Sequence, residues 1–162
     1  MSNEFGMFNN PVTWIVLGMI VNVFLSGMGS ARGLRTASVQ TTGVMSERPE
    51  LFGKLFVLTV LPGTQGFYGF IASFLAGSQT IMAASKDPID IGSALGLMFL
   101  LIGMGIVCYF SAVDQGRTSA AAINMVAKQE QTFGQAIIMP ALVETYAVLG
   151  LLLTIILMGA II

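Results

Sequence analysis

Histidine is absent from these 162 residues, and cysteine occurs once, as Cys108 within an apolar run. With no imidazole and one thiol, zinc coordination and cysteine chemistry are excluded, and no disulfide framework can form. Charge is scarce as well: only 9% of residues are Asp, Glu, Lys or Arg, and the net charge is -1. Without a basic patch beyond a few loop residues there is nothing to neutralise a nucleic-acid backbone, so no nucleic-acid partner is expected. What fills the chain instead is apolar, with 55% hydrophobic residues and a mean hydropathy of +0.85. A soluble domain carries far more charge than this.

A bilayer core of about 30 Å takes roughly 20 apolar residues per helix. Four such runs can be read: Val12 to Gly29, Leu51 to Ala76, Ile91 to Tyr109 and Ala136 to Ile162. They predict an all-α membrane protein of four transmembrane helices and leave no room for a soluble domain. The segment Met1 to Asn10 is polar, carries Glu4 and lacks a basic start, so the first run does not read as a cleaved signal peptide. Arg32, Arg35, Arg48 and Lys54 flank the first connection and Arg117 and Lys128 the third, whereas only Lys86 lies on the second. The positive-inside rule then puts connections one and three in the cytoplasm and both termini outside the cell membrane.

Aligned with itself, the chain shows a faint repeat. Phe24-Leu25-Ser26-Gly27 resembles Tyr109-Phe110-Ser111-Ala112, Arg32 falls against Arg117, Phe52-Gly53-Lys54 against Phe133-Gly134-Gln135, and Gly69 against Gly150. This predicts two tandem helical hairpins in one orientation, residues 1–80 and 81–162. In that alignment Gly63 stands where the second hairpin has Glu144, and Thr64 where it has Thr145. The first helix of each hairpin is rich in small residues, with Gly18, Gly27, Gly29, Ser30 and Gly33 in one and Gly92, Gly96, Gly103, Gly105 and Gly116 in the other. Small residues let helices approach closely in lipid, which fits ordinary bundle packing or an inner ring of helices from many copies. From Gln131 to Ile162 a continuous helix would run about 48 Å at 1.5 Å per residue, well past the hydrocarbon. The excess, with Asp114, Arg117, Asn124, Lys128, Glu130 and Gln135 near it, would protrude into the cytoplasm as a docking surface.

Glu144 stands about two turns into an otherwise uncharged apolar helix, in Pro140-Ala141-Leu142-Val143-Glu144-Thr145-Tyr146. Burying a carboxylate in a bilayer costs roughly 2.5 to 3.5 kcal/mol on insertion scales, so an ion or proton site is the default reading and a protonated clamp between helices the bland one. For a hairpin turning near Gln129 and Glu130, residues whose numbers sum to about 259 share a depth, and Gln115 and Glu144 do so. The repeat brings Thr64 and Gln65 to that level, and Leu61, Thr64, Gln65 and Tyr68 share one helix face. Pro62 lacks an N–H, bends the helix and frees carbonyls nearby, that of Leu61 among them; alternatively the freed groups are satisfied by a hydroxyl. Oxygen ligands around one negative charge suit a hard monovalent cation, whereas a bare carboxylate in an apolar cage suits a proton.

The blocks Leu61-Pro62-Gly63-Thr64-Gln65-Gly66-Phe67-Tyr68-Gly69, Ser111 to Arg117, and Val143-Glu144-Thr145-Tyr146 with Leu149-Gly150 carry a resemblance. Over essentially its whole length the chain resembles the membrane rotor proteolipid, the c or K subunit, of prokaryotic V-type sodium ATPases. The resemblance implies a homo-oligomeric ring of identical subunits turning in lipid against a stator membrane subunit, with central stalk subunits attached and ATP hydrolysed elsewhere. It also implies Na+ ligands at Leu61 (carbonyl), Thr64, Gln65, Gln115 and Glu144, with Tyr68 hydrogen-bonding the carboxylate, and H+ as the alternative ion. The chain has no P-loop and so does not hydrolyse ATP itself. Asp114 departs from the family pattern, in which a small uncharged residue is expected before Gln115. It either pairs with Arg117 at i,i+3 or adds a second carboxylate near the site. Two rivals remain, a four-helix drug/proton antiporter with one essential carboxylate and a structural tetraspan protein.

Overall fold

The computed structural model describes residues 6, 8–84 and 88–161; Glu4, Lys86 and Ile162 lie outside them. Its elements are α1 (Pro11–Met45), a 3-10 turn (Pro49–Leu51), α2 (Phe52–Val60), a second turn (Leu61–Gly63), α3 (Thr64–Ala84), α4 (Ile91–Lys128), a third turn (Glu130–Thr132) and α5 (Phe133–Ile161). No strand occurs among the described residues. Among the described residues, four helices are long and apolar enough to cross a membrane: Pro11–Met45, Pro49–Ala83, Ile91–Lys128 and Glu130–Ile161. The chain is a multi-pass membrane protein of two tandem helical hairpins.

The helix starts follow from local chemistry. Asn10 caps α1 by accepting from the Val12 N–H at 3.0 Å, and Pro11 occupies the first helical position, where its missing N–H costs nothing. Asp90 caps α4, accepting from the Ser93 N–H at 3.0 Å and the Ser93 hydroxyl at 2.7 Å. These two hydrogen bonds, the hydroxyl's foremost, hold its carboxyl below the usual carboxylate range. In the second span Pro62 cannot continue the α ladder, and the helix tightens into the 3-10 turn Leu61–Gly63 before α3 resumes.

Contacts between α1 and α4 advance together along both helices, from Gly18 against Met98, through Gly105 against Asn22 and Gly29 against Tyr109, to Gly33 against Ala112. The two helices are therefore parallel. They lie so close that a Cβ on Gly33 would fall 2.3 Å from the Ala112 carbonyl oxygen, an approach that only glycine permits. Polar groups join α1 to α3: Asn22 Nδ2 donates to the Gly69 carbonyl and to Ser73 Oγ, both at 2.9 Å, and Ser30 Oγ accepts from the Gly66 N–H at 2.8 Å.

The first and third connections meet at one end. Arg48 donates to the Ala127 carbonyl at 2.6 Å, satisfying an acceptor in the last turn of α4, and Lys54 pairs with Glu130 at 2.7 Å. Two apolar cores lie along the bundle, one built on Ile15, Leu97, Leu101, Met104 and Met158, the other on Leu51, Leu55, Leu58, Ile123 and Val126. Between them, in sequence on every contributing helix, lies a polar layer.

Candidate functional site

That layer is a continuous hydrogen-bond chain. Thr64, opening α3 after the Pro62 turn, donates its hydroxyl to the Leu61 carbonyl at 3.0 Å and approaches Gln65 Oε1 at 3.4 Å. The Leu61 carbonyl also accepts the Thr64 N–H. Gln65 Nε2 donates to Gln115 Oε1 at 2.6 Å and to Ser111 Oγ at 3.3 Å. Gln115 Nε2 in turn donates to the Pro140 carbonyl at 3.1 Å and to Glu144 Oε2 at 3.2 Å. The other carboxylate oxygen, Oε1, accepts a short hydrogen bond from the Tyr68 hydroxyl.

The Gln115 amide thus gives its NH2 to Glu144 and its oxygen to Gln65. A carboxylate is acceptor-only when ionised, and here two donors from two different helices converge on it. Gln65 and Gln115 are fully buried, at 0% exposure, so their amides have nowhere else to find partners and their geometry is fixed by the chain itself. Glu144 is half-buried. It borders a groove of about 430 Å³ lined also by Ala141, Thr145, Val148 and Leu149.

All the residues expected at the site come together: Leu61, Thr64, Gln65, Tyr68, Gln115 and Glu144 belong to one connected set, supplied by three helical spans. The equal depth of Gln115 and Glu144 holds because α4 ends at Lys128 and the return turn occupies Glu130–Thr132. The Leu61 carbonyl is engaged by its own turn rather than bare. Asp114 takes the i,i+3 pairing, with Oδ1 2.9 Å from Arg117 Nη1 and both side chains more than half exposed; it is not in the chain that ends on Glu144. Two contributors escape a reading of the residues. Ser111, one turn before Gln115 on the same face of α4, accepts from Gln65 and donates to the Val143 carbonyl at 3.2 Å. The Pro140 carbonyl anchors Gln115. The i,i+4 spacing of Ser111 and Gln115 is the signal that could have found the first.

Comparison with known proteins fits this arrangement. The family of the ATP synthase C subunit matches twice, at residues 17–76 and 98–157, the second match starting 81 positions after the first. The chain is 32% identical to the V-type sodium ATPase subunit K of Enterococcus hirae over 146 residues, 90% of each protein. It is also 32% identical to the A-type ATP synthase subunit K of Methanocaldococcus jannaschii over 149 residues, which cover 92% of this chain and 63% of that relative. A membrane-embedded carboxylate held by side chains of neighbouring spans, on two hairpins that each match the same family, leads to one assignment: the chain belongs to the ATP synthase C-subunit family, as a tandem two-hairpin proteolipid.

Proposed function

We propose that this chain is the ion-carrying subunit of a rotary ATPase rotor ring and that it moves Na+ at Glu144. The observation that supports the proposal is the hydrogen-bond chain that runs from the Leu61 carbonyl and Thr64 through Gln65 and Gln115 to Glu144, between two apolar cores. Each of these groups carries a hard oxygen, and with one negative charge among them they make up the set a hard monovalent cation takes. The Enterococcus hirae relative is named a sodium ATPase subunit, which agrees with that choice.

To accept Na+, the hydroxyl of Thr64 turns off the Leu61 carbonyl and the two glutamine amides present their oxygens, while Tyr68 keeps its hydrogen bond to Glu144. The carboxylate and its cation then form a neutral pair, which can face lipid where a bare charge cannot. Release follows when a cation on a stator membrane subunit offers Glu144 another counter-charge. Carrying a charge across the membrane costs about 2.3 kcal/mol per 100 mV, so the exchange is coupled to rotation driven by ATP hydrolysis on other subunits through a central stalk. Identical copies in lipid complete the ring. The two hairpins, residues 1–80 and 81–162, are read as copies of one ancestor, of which only the second keeps the carboxylate while Gly63 replaces it in the first. By the basic residues near connections one and three, those connections face the cytoplasm and both termini face outside.

The test uses carbodiimide, which attacks protonated buried carboxyls. Bound Na+ withholds the proton, so labelling of Glu144 should slow as Na+ rises, most strongly at higher pH where protons compete least. Labelling that follows pH but ignores Na+ over a wide range overturns the sodium reading and leaves a proton carrier.

A further inference from the structure

Within the chain, α1 meets α4 through Gly29 against Tyr109, Gly33 against Ala112 and Asn22 against Gly105. At the same level the Arg32 guanidinium lies 5.3 Å from the centre of the Tyr109 ring and donates to its hydroxyl. Arg32 aligns with Arg117 and Phe24 with Tyr109, each pair 85 positions apart. Replacing every α1 residue of this interface by its α4 equivalent, and every α4 residue by its α1 equivalent, generates a second interface. Gly33 against Ala112 becomes Thr118 against Gly27, Asn22 against Gly105 becomes Val107 against Ile20, and Arg32 over Tyr109 becomes Arg117 over Phe24.

A single chain does not make that second interface. Phe24 is 63% and Ile20 61% exposed, a Cβ placed on Gly27 would meet nothing within 4 Å, and the Arg117 side chain is 71% exposed. A glycine that faces open space in one chain but is equivalent to the end of a tight helix crossing marks where another helix belongs. Arg117 is already held: Asp114, one turn earlier on α4, fixes its guanidinium at 2.9 Å.

We propose that the partner at this face is a second copy of the chain, with Arg117 of one copy stacked over Phe24 of the next, aimed by Asp114, and Thr118 and Val107 packed on Gly27 and Ile20 of that neighbour. The pairing repeats between copies the cation–aromatic part of the Arg32–Tyr109 contact that each copy makes within itself, without the hydrogen bond to the Tyr109 hydroxyl, because Phe24 has none. It also gives Asp114 a task at the seam rather than at the ion. It rests on the proposed ring, which calls for copies to associate and leaves open which residues meet.

The test is a cross-link in the full-length chain in its native membranes. Gly27→Cys and Thr118→Cys are combined with Cys108→Ser, and the membranes are oxidised with copper phenanthroline. The double-cysteine chain should give a ladder of covalent multimers on a denaturing gel, and either single cysteine none. As a second readout, Phe24→Leu and Arg117→Gln should each lower the temperature at which the solubilised assembly falls to monomers, Phe24→Tyr should not, and Phe24→Leu with Arg117→Gln should fall no lower than the worse single change. Rings visible by imaging without the ladder overturn the seam and leave the ring reading standing. Absence of rings overturns both, and a ladder with an unaffected Phe24→Leu assembly overturns the stacking.

Discussion

Replacing Gln115 by leucine is the most informative single change at the site, because it keeps the side-chain volume close to that of the original while deleting every side-chain polar contact of a residue with no exposed surface. Three partners lose a hydrogen bond: Glu144 Oε2 at 3.2 Å, the Pro140 carbonyl at 3.1 Å and Gln65 Nε2 at 2.6 Å. The Pro140 carbonyl is a helix acceptor and Gln65 Nε2 still has Ser111 at 3.3 Å, so the fold tolerates the change. The loss that matters falls on the ion, which forfeits one oxygen ligand next to its charge. A hydrogen bond or ligand to a charged group is worth roughly 1.5–3 kcal/mol, and at about 1.4 kcal/mol per tenfold the Na+ concentration giving half-protection of Glu144 from carbodiimide should rise roughly tenfold to a hundredfold. The assay is the labelling rate of Glu144 in purified protein against Na+ at fixed pH, with helicity and oligomeric state checked alongside. A half-protection concentration within about twofold of the parent, in a protein that is folded and assembled, would refute the placement of Gln115 on the ion.

Tyr68→Phe removes the hydroxyl that donates to Glu144 Oε1 but no proposed ligand, so Na+ protection should persist with half-protection shifted by about tenfold or less, measured in the same labelling assay. Asp114→Ala removes a carboxylate paired with Arg117 on an exposed face, and Na+ affinity should stay nearly unchanged; a large loss would make Asp114 part of the site. Gly33→Ala forces a Cβ to 2.3 Å from the Ala112 carbonyl oxygen and 2.7 Å from Pro62 Cβ, so thermal unfolding in detergent should show a loss on the order of 1–3 kcal/mol or more. Gly43→Ala, where a Cβ meets nothing within 4 Å, should instead gain up to about 1 kcal/mol from helix propensity in the same measurement.

Much of the site was legible because a membrane penalises polarity. A carboxylate among leucines and valines announces itself, and once Glu144 is fixed, the geometry of a helical hairpin places Gln115 beside it. The repeat then brings Thr64 and Gln65 to the same depth. Ser111 was not legible in the same way, since a serine in a membrane helix commonly bonds back to its own helix, as Ser26 does to the Asn22 carbonyl at 2.7 Å. The helices also run further than hydropathy suggests: α1 reaches Met45 rather than stopping near Gly29. Apolar runs report where lipid is, whereas alanine, glutamine and threonine beyond it continue the backbone ladder once neighbours pack against them. Pro62 predicted a bend with freed carbonyls. The disturbance is confined to a single 3-10 turn, where Thr64 supplies both its N–H and its hydroxyl to the Leu61 carbonyl.

Whether Glu144 with its surrounding oxygens binds Na+ is tested most directly by equilibrium binding of radioactive Na+ to the purified assembly. Saturable binding of one Na+ per chain is expected, displaced by protons as the pH falls, lost in Glu144→Gln and retained in Asp114→Ala. Absence of saturable Na+ binding at every pH, or binding that survives Glu144→Gln undiminished, would contradict the assignment.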